Sequence, residues 1–216
     1  MFKKMVSQSY SLTSRIPLNN GLSMPHIHLG VYLTSGRETS TAVLHALEAG
    51  YRAFDSAQMY HNEREVGSTI LDYLQKHPDL KREDIHYTSK LASNSSYDVV
   101  RKSIKKSVQE CGLGYIDLFL LHSPYGGPKA RLDSWKALED AVDDGEVKIP
   151  GVSNYGEKHV SMRHAAARRR RSDKDVRLPS SWSRIRGSSQ PSTRSKSTHS
   201  TPAQNSLSTA KTMILS

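Results

Sequence analysis

The chain has 216 residues, with 31 Lys+Arg against 21 Asp+Glu and a formal net charge of +10. The charge is uneven: residues 161–216 hold 12 basic and 2 acidic side chains, which leaves 19 of each sign in residues 1–160, so the high pI belongs to a tail rather than to a folded domain. A lone cysteine, Cys111, excludes an intramolecular disulfide and a cysteine-clustered zinc site, and no run of about 18 apolar residues is available as a spanning helix.

The N-terminus, MFKKMVSQSYSLTSR, lacks the apolar stretch of a secretory signal, so a soluble cytoplasmic protein is the expectation. Residues 13–25 read as two short strands about Asn19-Asn20-Gly21, where Asn and Gly supply the positive φ angles of a tight hairpin. A buried strand over 27–32 then precedes a helix ending at Gly50, in which Leu44 and Leu47 share an apolar face. The next strand, 51–55, leads to a helix opened by Asn62 with Glu65 three residues on, the spacing of a capping box; Val66, Ile70 and Leu74 form its stripe. A strand over 85–91 pairs with a helix repeating Val100, Ile104 and Val108 before Cys111, a core thiol at the helix end. A strand over 116–122 pairs with a helix carrying Trp135, Leu138 and Val142. The last clear element is a strand over 146–154, in which Pro150 is expected to weaken or bend the ladder.

Strands this apolar, alternating with helices, suit a parallel sheet covered on both faces, so the class is α/β. Polar residues recur at the strand ends about every 30 residues: Asp55 with Tyr60 just beyond, Lys90, His122, then Ser153 and Asn154. The C-terminal ends of parallel strands are where (β/α)8 TIM-barrel enzymes carry their chemistry. A closed barrel of that kind needs about 250 residues, so the sequence accounts for a hairpin and about five βα units of one.

The residues make a coherent set for carbonyl reduction. Adding hydride to a carbonyl leaves an alkoxide, which needs a proton donor; Tyr60 can serve if its pKa, normally near 10, is lowered. Lys90 is the candidate for lowering it, Asp55 for holding the ammonium, and His122 for orienting the carbonyl oxygen. Tyr32 is a candidate wall of the substrate pocket. His26 and His28, on one face of a strand, lack a third ligand and read as structural; Met5, Met24 and Met59 read as packing or loop residues.

The string GYRAFDSAQMYHNEREVG closely resembles the signature of the aldo-keto reductase family, as do GLSMPHIHLG at 21–30, the Lys of YTSKL, the His of LFLLHSP and GVSNYG at 151–156. The resemblance runs from 13 to about 160 in the family's order. It implies an NADP(H)-dependent oxidoreductase in which Asp55, Tyr60, Lys90 and His122 form the catalytic tetrad on a small-molecule carbonyl substrate. It further implies that Ser153 and Asn154 hold the nicotinamide carboxamide and that Asp55 lies near the coenzyme ribose. No metal is implied.

After about residue 160 the family's later strands and phosphate-holding segment are not found, and the resemblance reads as truncated or frame-shifted there. The expected division is therefore a partial barrel over 1–160 and a disordered Ser/Arg-rich tail over 161–216, where 14 Ser and 5 Thr leave too little apolar surface to offset ordering. Such a fragment is expected to leave its first and fifth strands as open edges, to bind coenzyme weakly and to turn over barely above background. A family member without catalysis is the alternative function. Polyanion binding through Arg168 to Arg171 is a weaker one, since Trp182 is the only Phe, Trp or Tyr in the tail.

Overall fold

The computed structural model of the chain describes residues 10–18, 20–156, 159 and 212–214. Strands β1 (Arg15–Pro17) and β2 (Ser23–Pro25) form the expected antiparallel hairpin. Its turn is closed by Leu18 N–H donating to the Leu22 carbonyl at 2.8 Å, with Gly21 at φ +83° and the Asn20 side chain accepting from Leu22 N–H.

Beyond the hairpin, strands and helices alternate: β3 (Leu29–Gly30), α1 (Gly36–Glu48), β4 (Ala53–Asp55), α2 (Glu63–Lys76), β5 (His86–Leu91), α3 (Tyr97–Cys111), β6 (Ile116–Leu121), α4 (Gly127–Asp143) and β7 (Val147–Ser153). The strands β3 to β7 lie parallel in chain order, each beside its predecessor. Right-handed crossovers put the helices on one face of such a sheet, and α1 packs on α2, α2 on α3 and α3 on α4. No helix among the described residues is long and apolar enough to cross a membrane.

Register assigns the two faces. Asp55 lies beside Thr88, Lys90 beside Leu120, Leu118 beside Ile149 and Leu120 beside Gly151, so these residues share the face away from the helices. On it Leu118, Leu120 and Ile149 form an apolar cluster on which Leu18 and Met24 of the hairpin segment pack. The helix-facing residues Phe54, Tyr87 and Phe119 are fully buried. Every residue of β5 and β6 is buried, as sheet strands covered on both faces require. The helices α2 and α3 approach so closely that a Cβ on Gly67 would lie 1.7 Å from the Cys111 carbonyl oxygen, which leaves glycine as the residue that fits. Cys111 is the expected core thiol, its pKa pushed up to about 11 by burial.

Several sequence expectations are corrected. The first strand of the parallel sheet is two residues, not six, with Leu29 half-buried and Gly30 exposed, because the chain at 26–28 is still leaving the hairpin, with His26 N–H bonded to the Ser14 carbonyl. His26 and His28 therefore do not share a strand face. Leu44 is 39% exposed, and α1 buries Val43, Ala46 and Leu47 instead. Pro150 itself lies within β7, whose pairing with β6 runs through Phe119 beside Pro150 to Leu121 beside Val152.

The outer edge of β7 is also not open. A strand β8 (Thr212–Ile214) lies antiparallel to it, pairing at Gly151 to Ser153. These three residues come from the stretch expected to contribute nothing. Unpaired backbone groups on an edge accept any extended segment, and Thr-Met-Ile is a β-prone run in an otherwise polar tail. The compact unit holding the sheet accordingly runs to Gly156 and takes in Thr212–Ile214. The expected disorder of 161–216, and the basic run Arg168 to Arg171, otherwise lie outside the described residues, as does Met5.

The non-helical face also buries histidine. His86 is 4% exposed, its ring edge-on to His28 at 5.2 Å, and its pKa is lowered to about 3 by burial, then by the charges of His28, Arg15, Arg82 and Lys148. His28 is lowered too, chiefly by burial. Between about pH 3 and 6.5 the unfolded chain binds a proton at residue 86 that the folded chain does not, so stability rises with pH there and is lost on acidification. Thermal unfolding should fall through that window with a slope of up to about 1.4 kcal/mol per pH unit from His86 alone. His86→Asn should flatten the pH dependence; an unchanged slope would contradict the assignment.

Candidate active site

The polar residues gather at the C-terminal ends of β4 to β7. Lys90 ends the inward-facing series of β5 with its side chain only 8% exposed, where an unpaired ammonium is expensive. It is met by the Asp55 carboxylate in a direct ion pair and by the Ser56 carbonyl, to which Nζ donates at 2.8 Å. The Tyr60 hydroxyl lies 3.5 Å from the same Nζ. Tyr60 sits on a single 3₁₀ turn, Gln58–Tyr60, that Gln58 pins to α3 by donating to the Ser103 carbonyl at 3.1 Å and to Ser107 Oγ at 2.8 Å.

The His122 ring stands edge-on to Tyr60 with centroids 6.0 Å apart, and the Tyr32 ring lies 5.0 Å from Tyr60 on the other contact. Asn154, held at φ +61°, donates from Nδ2 to the His122 carbonyl at 2.9 Å and to Ser153 Oγ at 3.3 Å. Ser153 is buried and Tyr32 is 65% exposed. The structure thus brings Asp55, Tyr60, Lys90 and His122 into one cluster, sets Tyr32 at its rim and joins Ser153 and Asn154 to it through His122.

Electrostatics depart from the sequence expectation at Tyr60. Its pKa is raised, first by burial, then by the Asp55 and Tyr32 charges, rather than lowered by Lys90. Burial disfavours the charged phenolate, and the Asp55 carboxylate, brought close by its pairing with Lys90, opposes it further. The phenol is therefore held protonated. His122 is lowered by burial and by Lys90, against a raising effect of Asp55, so the imidazole is neutral at pH 7 and can offer one N–H. Its Nδ1 is buried without a hydrogen-bond partner among the described residues.

Some positioning residues were not visible in the sequence. Asn62 opens α2 as expected but makes no side-chain cap bond; its side chain is fully buried and bonds to Ser56, Val31 and Thr34 instead. Glu63, 8% exposed, accepts from Ser89 Oγ at 2.5 Å and Ser107 Oγ at 3.2 Å, tying α2 to β5 and α3, with its pKa raised by burial. Asn94 donates to the carbonyls of Ser123 and Tyr125, both at 2.7 Å, and so fixes the loop that follows His122. Only the fold reveals these partners, which lie 26 to 44 residues away for Glu63 and about 30 for Asn94.

The aldo/keto reductase family model matches residues 29–175, most of the chain. The chain belongs to the aldo/keto reductase family. The match extends 15 residues past the point at which the sequence resemblance was expected to end. Among curated relatives, an uncharacterized oxidoreductase of Schizosaccharomyces pombe is 50% identical over 149 residues, covering 69% of this chain and 53% of the relative. Glycerol 2-dehydrogenase (NADP(+)) of Hypocrea jecorina is 35% identical, covering 70% and 54%. The crystal structure of an aldo/keto reductase from Brucella melitensis superposes with a TM-score of 0.66 at 32% identity, over 71% of this chain and 59% of that one. The chain spans about half the length of the curated relatives it matches.

Since Lys90 is one cause of the lowered His122 pKa, removing it has a defined sign. In histidine-ring NMR titrations, His122 should titrate below 6.5 in the wild type and move upward in Lys90→Met, where Asp55 acts on it unopposed. A midpoint that stays put or moves down would contradict the coupling.

Proposed function

We propose that the protein is an NADP(H)-dependent oxidoreductase that reduces an aldehyde or ketone to the alcohol, with Tyr60 as proton donor. The observation that carries this reading is the Asp55, Lys90, Tyr60 line of contacts with the neutral His122 ring against Tyr60. When bound, the coenzyme supplies a hydride to the carbonyl carbon. As the carbonyl π pair moves onto oxygen, the Tyr60 O–H breaks and its proton passes to that oxygen. Lys90 keeps Asp55 and the phenol in line, and because burial and the Asp55 charge disfavour the phenolate that results, solvent restores its proton. The His122 N–H points the substrate oxygen and stabilises its developing charge.

For the nicotinamide end the residues fit. Asn154 has spent Nδ2 on the His122 carbonyl, which leaves Oδ1 to accept from a carboxamide N–H, with Ser153 Oγ beside it. Asp55 is the candidate near the ribose and Tyr32 the aromatic wall for the substrate. The relative named glycerol 2-dehydrogenase (NADP(+)) supports the choice of coenzyme. A buried, weakly acidic single thiol suits a reducing cytoplasm.

One observation favours a second reading, a family member without turnover. β8 lies antiparallel on β7, where a continuing βα repeat would set another parallel strand. Incubation with NADPH deuterated at C4 and an aromatic aldehyde separates the two. The first reading expects alcohol deuterated at the former carbonyl carbon, with Tyr60→Phe lowering the yield by about 100-fold or more. Labelled alcohol equal in amount for the wild type and Tyr60→Phe would sink the acid assignment, and none from either would favour the second reading.

A further inference from the structure

Residues 31–34 carry Tyr32 at the rim of the site in a turn that Thr34 closes on the Val31 carbonyl through its N–H and hydroxyl. Leu33 is 82% exposed and sits at φ +66°, a left-handed conformation that a leucine adopts only under constraint. The two carbonyls on either side of it, those of Val31 and Thr34, both accept from Asn62 Nδ2, at 2.9 and 3.1 Å. The same amide's Oδ1 accepts from Ser56 Oγ at 2.6 Å, and it is the Ser56 carbonyl that receives the Lys90 ammonium. Asn62 is fully buried, so these bonds are not shared with solvent.

We propose that Asn62 is a positioning residue that locks two parts of the reaction site together: the segment 31–34, which sets the Tyr32 ring on Tyr60, and Ser56, which seats Lys90. The inference builds on the reading of Tyr60 and Lys90 as reacting groups, but its geometry stands without turnover. One planar amide with two donors and an acceptor spans three chain segments here. A residue of other chemistry fails on at least one arm: alanine loses all three bonds, and aspartate keeps only the acceptor for Ser56. Neighbouring backbone bonds, Val31 N–H to the Asp55 carbonyl and Ser56 N–H to the Thr88 carbonyl, hold the strand ends; within the segment Thr34 closes a local turn through its N–H and hydroxyl on the Val31 carbonyl, and Asn62 ties that turn to Ser56. Glu63, next in sequence, faces Ser89 and Ser107 on the helix side and takes no part.

The test reads position rather than activity, so its failure and that of the reductase reading are distinct. In the full chain labelled with [¹³Cζ]tyrosine, the Tyr60 signal, identified by its loss in Tyr60→Phe, should titrate above the ordinary phenol range, because burial and the charges of Asp55 and Tyr32 raise it. Asn62→Ala should let Tyr32 leave Tyr60, and the midpoint should fall in part, with burial and the Asp55 charge still holding it up. Hydrogen exchange across 29–35 should quicken by about tenfold or more while α3 and α4 keep their protection. Where Asn62→Ala does not fold, Asn62→Asp, of the same shape, should still quicken exchange at 31–35. An unmoved Tyr60 midpoint in a folded Asn62→Ala, or exchange that is unchanged or rises equally in α3 and α4, would overturn the proposal and leave Asn62 a merely structural residue.

Discussion

The site depends on a buried ammonium. Lys90 stands at the end of a strand with no exposed residue, and its charge is tolerated because Asp55 on the neighbouring strand and the Ser56 carbonyl both reach it. Removing one member of such a pair leaves an uncompensated charge, at a cost of about 3–5 kcal/mol when burial is complete and less here, since Asp55 is 30% exposed. The pair fixes the relative positions of β4 and β5 at their C-terminal ends, and Tyr60 is placed against it by a turn that follows β4 by only two residues. It also sets the Asp55 carboxylate near the phenol, whose pKa is held up first by burial and then by that charge.

Around this pair, held by strands, the loops of the site are tied by asparagines. Asn62 spans Ser56, Val31 and Thr34, Asn94 spans Ser123 and Tyr125, and Asn154 reaches the His122 carbonyl. Loops at strand ends have unpaired backbone carbonyls, and a side-chain amide can take two at once where no ladder exists. Tyr32, Tyr60 and His122 stand outside the strands, and these amides give their segments the rigidity that the sheet gives Asp55 and Lys90.

Much of this was legible in the sequence, for physical reasons. The period of the βα units, the apolar strands and the polar residues at their ends follow from local pattern, and Asp55, Tyr60, Lys90 and His122 do meet in the fold. What the pattern concealed depends on long-range contact. Asn62 looks like a helix cap because its sequence neighbours make one; its true partners include residues 31 and 34, about 30 positions away. Leu44 has the spacing of a buried residue, but which side of α1 faces the sheet is set by α2. The sign of the Tyr60 shift needed the Asp55 to Lys90 geometry, and the β7 edge partner, Thr212–Ile214, follows a long segment with no pattern.

The claim that the ion pair anchors the site is tested most directly by a double-mutant cycle in denaturant, using Asp55→Asn, Lys90→Met and the pair together. If the two charges support each other, Asp55→Asn alone should be strongly destabilising and the double variant should recover much of the loss, with a coupling energy of about 1–3 kcal/mol. Strictly additive losses, with no coupling beyond about 0.5 kcal/mol, would contradict it.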